Sequence, residues 1–222
     1  MSKIRTLNDL QDRIDEEFSW RLKELDSLKQ ITRQSQELAK KTAIRSAICL
    51  AYSHWEGFVK RSAEYYIEFV SNQGLRFDEL ADCFVWIGAR RHFASVASGG
   101  KVAAAVSGVN FFRKQLNKRA YLRLPGHVNT KSNLNSEVFE NIAITVGVST
   151  DAFRTRYHQI DESLLGRRNR IAHGEYLDLD QKDCINLIDA VIELLLLFKT
   201  EIENAAIGKR YALATIAVVS TT

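Results

Sequence analysis

The chain has 222 residues, enough for one large domain or two small ones with a sizeable core. Hydrophobic residues make up 45% and charged residues 26%, the balance of a globular protein rather than of a disordered chain. There is a single proline, Pro125, which argues for long helices and against a many-turned all-β fold; the net charge is only +4, so its distribution matters more than its size.

In chain order, the N-terminus MSKIRTLNDL is polar and charged, unlike a signal peptide, and a cytoplasmic protein is expected. Ile4, Leu7, Leu10, Ile14, Phe18, Leu22, Leu25, Leu28 and Ile31 recur every three or four residues among charges. This predicts one long amphipathic helix within 1–36, close to a heptad seam, that packs within the domain or against a second copy. A second long helix is expected over about 37–72, with Ile44, Ala47, Ile48, Ala51, Trp55, Phe58, Val59, Tyr66 and Val70 as its apolar stripe and Gly74 as its stop. Its middle, LAYSHWEGFVK, carries His54 and Glu56 on either flank of Trp55, where each is either a groove residue or a rim residue without a role.

Residues 75–131 read as shorter helices interrupted by SGGK at 98–101 and LPGH at 124–127. SGGK is no phosphate loop, because the pattern needs Gly at 95 and Ser or Thr at 102, where Ser95 and Val102 stand. Asn135 or Ser136 caps a following helix that Gly147 stops, and STDAF opens a short one near 149–158. Asp161 or Ser163 is expected to open the helix carrying RRNRIAHGEY, and Gly174 to close it. The last helix spans about 179–205, with Cys184, Leu187, Ile188, Val191, Ile192, Leu195 and Phe198 inward. The apolar tail, 206–222, is β-prone: it adds a strand, covers a neighbour or is mobile. The longest apolar run, VIELLLLF, is too short to span a bilayer. The fold class is all-α: a bundle of about four core helices with a basic segment inserted between its halves.

Between Asp82 and Glu137 no acid occurs, while Arg90, Arg91, Lys101, Arg113, Lys114, Lys118, Arg119, Arg123 and Lys131 all fall there. The rest of the chain is net acidic, so the middle reads as a polyanion-binding surface or as a solvated face that lacks acids. Cys49, Cys83 and Cys184 have neither zinc nor redox spacing and read as buried thiols.

No metal motif, paired cysteine motif or GxSxG is present, and no cofactor is implied. What remains is RRNRIAHGEY. Asn169 and His173 are four apart and share a helix face, whereas Arg168 lies about 140° from His173 and must reach around. Arginine forks onto phosphate, and histidine moves protons near neutral pH. Together they suit cleavage of RNA by its own 2′-hydroxyl, which DNA lacks. Yet an Arg four to six residues before a His arises about once by chance in such a chain, so spacing alone does not separate a catalyst from a helix cap.

RRNRIAHGE resembles the Arg-Asn-x-x-x-His signature of the HEPN superfamily, and YSHWEGFVK and NTKSNLNSEVFENI resemble its bacterial MAE-type branch. The resemblance runs over roughly 35–205. It implies a single HEPN-like helical domain across 1–222, acting as a metal-independent endoribonuclease. The setting it implies is a toxin–antitoxin pair or anti-phage defence. It also implies a homodimer with a composite site, RNA as partner and a cognate antitoxin protein. By position, Arg168 and His173 match the catalytic pair and Asn169 the polar residue, with Glu56 and His54 in support. Arg167 and Arg170 join Arg113, Lys114, Lys118, Arg119 and Arg123 as RNA contacts. The alternatives are a non-catalytic HEPN module that binds nucleotides or proteins, and a structural helical protein in which His173 merely caps its helix.

Overall fold

The computed structural model describes residues 3–97, 102–122, 126 and 128–213. Helix α1 (Leu7–Gln34) starts at a capping box. The Thr6 hydroxyl accepts the Asp9 amide at 3.1 Å, and the Asp9 carboxylate accepts the Thr6 amide at 2.8 Å. Leu10, Ile14, Leu25 and Leu28 are buried as the periodicity requires. A straight helix drifts against a seven-residue repeat, so the stripe rotates along the element. Leu22 is only half-buried and Ile31 is exposed, while Arg21 and Thr32 take the inward positions. The Arg21 guanidinium is stabilised there by Glu17 at 2.8 Å and by the Trp20 ring at 4.3 Å. It fits against Gly57, where a Cβ would stand 3.1 Å from its nitrogens. Helix α1 thus packs inside the domain, against the second and last long helices.

Helix α2 (Glu37–Asn72) has the bounds expected from its periodicity, and Gly74, at φ 78°, takes the left-handed turn after it. Every residue of its expected stripe is buried, and Tyr52, Ala63, Ile67 and Phe69 join them. A helix buried on several sides organises its neighbours around itself. Trp55 meets Phe139 at 5.2 Å between centroids, and Phe139 meets Phe153 and Phe198 at 4.7 and 5.6 Å.

A 3-10 turn (Phe77–Glu79) leads to a hairpin of α3 (Asp82–Ala97) and α4 (Val102–Lys114). SGGK and most of LPGH lie outside the described residues, as do Lys101 and Arg123. Helix α5 (Ser136–Thr145) is capped by Asn135, which accepts the Val138 amide at 2.8 Å. A 3-10 segment (Asp151–Arg156) then precedes a π-helix (Gln159–Gly166) that runs directly into α6 (Arg167–Ala172). Asp161 therefore does not open the motif helix: it lies inside the π segment, and its carboxylate accepts the backbone amide and hydroxyl of Ser136 at the start of α5. Ser163 lies inside that segment too.

Helix α7 (Gln181–Ile207) is capped by Asp180 and packs against α1 and α2. Leu194 is among its buried residues, whereas Ile192 is half-buried. Of the tail, Tyr211 packs on Phe69, Ala212 forms an isolated bridge with Leu80, and the remainder from 214 lies outside the described residues. No strand occurs among the described residues, and no helix there is long and apolar enough to cross a membrane. The three cysteines are free; Cys184 is buried, and burial pushes its thiol up to about 11. Cys49 and Cys83 are only half-buried, which corrects the expectation for those two.

His54 is 4% exposed at the α1–α2 contact. Its ring meets Trp20 at 5.3 Å, with Arg21 and Glu24 nitrogen and oxygen atoms 3.5 and 3.2 Å from its two nitrogens. Burial, only partly offset by Glu24, holds its imidazolium below the ordinary histidine value. The unfolded chain therefore binds more protons here, and the contribution is lost as pH falls from about 6.5 through the lower folded value. Urea midpoints measured from about pH 8 to about pH 5 should fall less steeply in His54→Gln than in the wild type. Parallel curves would remove this role.

Candidate active site

Two backbone features position the motif. In the π-helix, Ile160, Leu164 and Leu165 are the buried residues, and it ends at Gly166. A Cβ at Gly166 would lie 3.2 Å from the Asp161 carbonyl oxygen, so the wide turn closes most easily on glycine. At the other end the Glu175 amide bonds the Arg170 carbonyl at 2.9 Å and the Gly174 amide bonds that of Ile171 at 3.1 Å. With Gly174 at φ 77°, this is a Schellman closure. His173 stands at the C-cap, with its amide on the Asn169 carbonyl at 2.9 Å.

The Arg168 side chain turns back toward Asn169 and the loop before α5. Its two terminal nitrogens donate to Asn169 Oδ1 and to the Ser132 carbonyl, both at 2.8 Å, and its guanidinium lies 4.0 Å from the centroid of the Tyr52 ring. Two of its five N–H groups are thereby used, leaving others for an anion. Asn169 donates to Asn133 Oδ1 at 3.3 Å. The supporting surface is the loop before α5. Lys131 and Ser132 both sit at φ 54°, a conformation that costs a residue other than glycine about 1–3 kcal/mol. The Leu134 amide donates to the Tyr52 hydroxyl at 2.6 Å. Burial raises the Tyr52 hydroxyl above its ordinary range, which keeps it a neutral partner.

The remaining residues divide. His173 is exposed, and its imidazole makes no hydrogen bond among the described residues. Glu56 lies one turn after Tyr52 and accepts the Thr130 hydroxyl, so it holds the same loop rather than Arg168 itself. His54 is not part of the site. It points at α1, because two helical positions separate it from Glu56 by about 200°. Arg170 is bound to Glu175 at 3.0 Å, whereas Arg167 has no ion pair among the described residues. Cys49 is half-buried; burial raises its thiol, with Arg168 and Arg45 opposing.

Arg113, Lys114, Lys118 and Arg119 are exposed on and after α4, away from the motif helix. Among the described residues no cluster of His, Cys, Asp or Glu is arranged to hold a metal ion. Sequence reading missed Tyr52, Ser132 and Asn133. The available signal was Tyr52 at i, i+4 from Glu56 and i, i−4 from Ile48 on the most buried helix.

A family model described as RiboL-PSP-HEPN matches residues 16–204, a span from within α1 to the last turn of α7 that includes the motif. No curated protein and no solved structure matches the chain.

Replacing Tyr52 by Phe keeps the ring under Arg168 but leaves the buried Leu134 amide without its acceptor. Urea unfolding should show a loss of about 1–3 kcal/mol, the cost of an unsatisfied buried donor. An unchanged midpoint would mean that the loop holds itself without Tyr52.

Proposed function

Taking as premise that the chain belongs to the RiboL-PSP-HEPN family and so to the HEPN superfamily, we propose that it is an endoribonuclease. In this reading Arg168 and His173 are catalytic residues at the end of α6, with Asn169 as polar support. The observation that carries the reading is the contrast between the two side chains. The guanidinium is held by two hydrogen bonds and a ring, while the imidazole a little further along the same helix is free and exposed. A fixed cation suits a developing phosphorane, and a free imidazole suits proton transfer.

The chemistry needs no cofactor. His173 takes the proton of a 2′-hydroxyl, and the 2′-oxygen attacks the adjacent phosphorus. The bond to the 5′-oxygen breaks, and that oxygen is protonated as it leaves. The products are a 2′,3′-cyclic phosphate and a 5′-hydroxyl. One imidazole cannot be base and acid in the same step, so a homodimer that sets two motifs in one composite cleft completes the site. An open depression beside the motif, lined by Thr42, Arg45, Cys49, Leu50 and Ile171, supports such a neighbour. Arg167 adds a cation for RNA phosphates. Arg170, held by Glu175, adds one only if that pair opens. Glu56 acts indirectly, by holding the loop that receives Arg168.

The finer setting rests on the sequence resemblance to the MAE-type branch: a cytoplasmic toxin of a toxin–antitoxin pair or an anti-phage effector, restrained by a cognate protein. One observation favours the alternative of a non-catalytic binding module. Arg168 is already engaged by Ser132 and Asn169, as a structural arginine would be.

Purified protein in excess chelator should cut RNA, leave 2′,3′-cyclic phosphate ends and spare DNA. His173→Ala should lower kcat/KM about 10²–10⁴-fold. Because its ring makes no hydrogen bond among the described residues, its unfolding free energy should stay within about 0.5 kcal/mol of wild type. Wild-type cleavage rates in this variant would remove His173 from the mechanism and favour the binding module.

A further inference from the structure

We propose that the cleft between the Phe77–Glu79 turn, α3 and α4 is a second RNA site, which holds an unpaired nucleotide of a single strand by phosphate contacts to Arg91, Lys118 and Arg119 and by stacking on Tyr121. The proposal rests on the reading of RNA as substrate, and it concerns where the strand is gripped rather than where it is cut.

The cleft has a volume of about 280 Å³. Its floor is Phe77 and Phe111, edge to face at 5.1 Å. Phe77 reaches this depth because Gly88 faces it: a Cβ there would lie 2.3 Å from the ring. The rim carries Arg91, His92, Lys118 and Arg119, and no carboxylate lines it. Several surface cations elsewhere are paired: Arg76 with Asp78, Arg156 with Glu193, and Lys29 with Asp26 and Asp189. Arg91, Lys118 and Arg119 have no ion pair among the described residues, as follows from the acid-free stretch that contains them. Unpaired cations on a concave, partly apolar wall focus a positive potential into it, which selects an anion.

Two features select a nucleotide over a bare anion. Tyr121 is 71% exposed at the rim, and the Arg119 guanidinium lies 5.9 Å from its ring centroid, so a base laid on the ring has a cation at its edge. Arg91 is oriented by a chain of hydrogen bonds: its Nε donates to His92 Nε2 at 3.2 Å, and His92 Nδ1 meets Ser107 Oγ at 3.0 Å. A third feature selects a strand over a free nucleotide. A second cleft adjoins the first across His92, Phe111 and Gln115 and adds Asn110 and Lys114, giving a track of two units. The site is separate from the motif. The Leu122 amide bonds Ser71 on α2, nineteen residues or about 28 Å along the helix from Tyr52, so a bound strand is held at two distant points.

The test is fluorescence anisotropy of the full chain with a short labelled 2′-O-methyl oligouridylate, which lacks the attacking hydroxyl and so separates binding from cleavage. Tyr121→Ala should weaken binding about five- to a hundred-fold. The Lys118→Gln/Arg119→Gln double variant should also lower the salt slope by about two. Lys182→Gln, on α7, serves as the surface control and should bind as wild type. Wild-type binding and salt slope in both cleft variants would overturn the proposal, and so would equal affinity for a duplex of the same length. Adenosine monophosphate that binds more tightly than the strand would overturn it in favour of a free-nucleotide site; displacement by it only at millimolar concentration would support it. A chain that binds through this cleft yet cuts no RNA would keep the proposal and remove the ribonuclease reading.

Discussion

The stacking of Arg168 on Tyr52 is the contact on which the motif's geometry depends. Tyr52 belongs to the central helix, so its position is set by core packing. Its ring carries the guanidinium, and its hydroxyl receives the amide of the loop that in turn receives the guanidinium. Three segments far apart in sequence thereby meet at one side chain. The energies favour a fixed arginine. Two hydrogen bonds to a charged group contribute about 1.5–3 kcal/mol each, more than the roughly 2 kcal/mol of rotamer entropy that an arginine loses. Cation–π stacking adds about 0.5–2 kcal/mol.

The site is built at local cost. Lys131 and Ser132 hold left-handed backbone without being glycine, and the helix leading into the motif is wound wide for two turns. Neither feature improves packing by itself. The first turns the Ser132 carbonyl toward Arg168, and the second sets the rotation at which Arg167 to His173 leave the core. His173 gains nothing from either, and its side chain is exposed. The surface divides by the same logic. Some cations are neutralised by nearby acids, as Arg170 is by Glu175. Arg91, Lys118 and Arg119, in the acid-free stretch, have no ion pair among the described residues.

Much of the fold was legible in the chain. The bounds of α2, the Asn135 cap and the left-handed closures at Gly147 and Gly174 all rest on neighbours within one or two turns. The candidate site was legible in part. Arg168, Asn169 and His173 follow from one short motif, and the reach of Arg168 follows from counting degrees around a helix. The partners did not follow, because Ser132 and Asn133 look like ordinary turn residues and Tyr52 like an ordinary core aromatic. His54 and Glu56 were read together although about 200° separates them. The packing of α1 decided between them: His54 went to α1, and Glu56 went to the loop.

What the sequence by itself determined is therefore most of the long helices, several of their ends and the identity of the motif. Hydrogen bonds four residues apart and apolar positions three or four apart are properties of a short window. What only the tertiary structure decided is which surfaces meet. The drift of the α1 stripe buried Arg21 in place of Leu22, the π-helix set the rotation of the motif, and the depth of Phe77 beside Gly88 turned a run of basic residues into a cleft. Each depends on side chains dozens of residues apart filling the same space, and close packing leaves one arrangement where the periodicity alone allowed several.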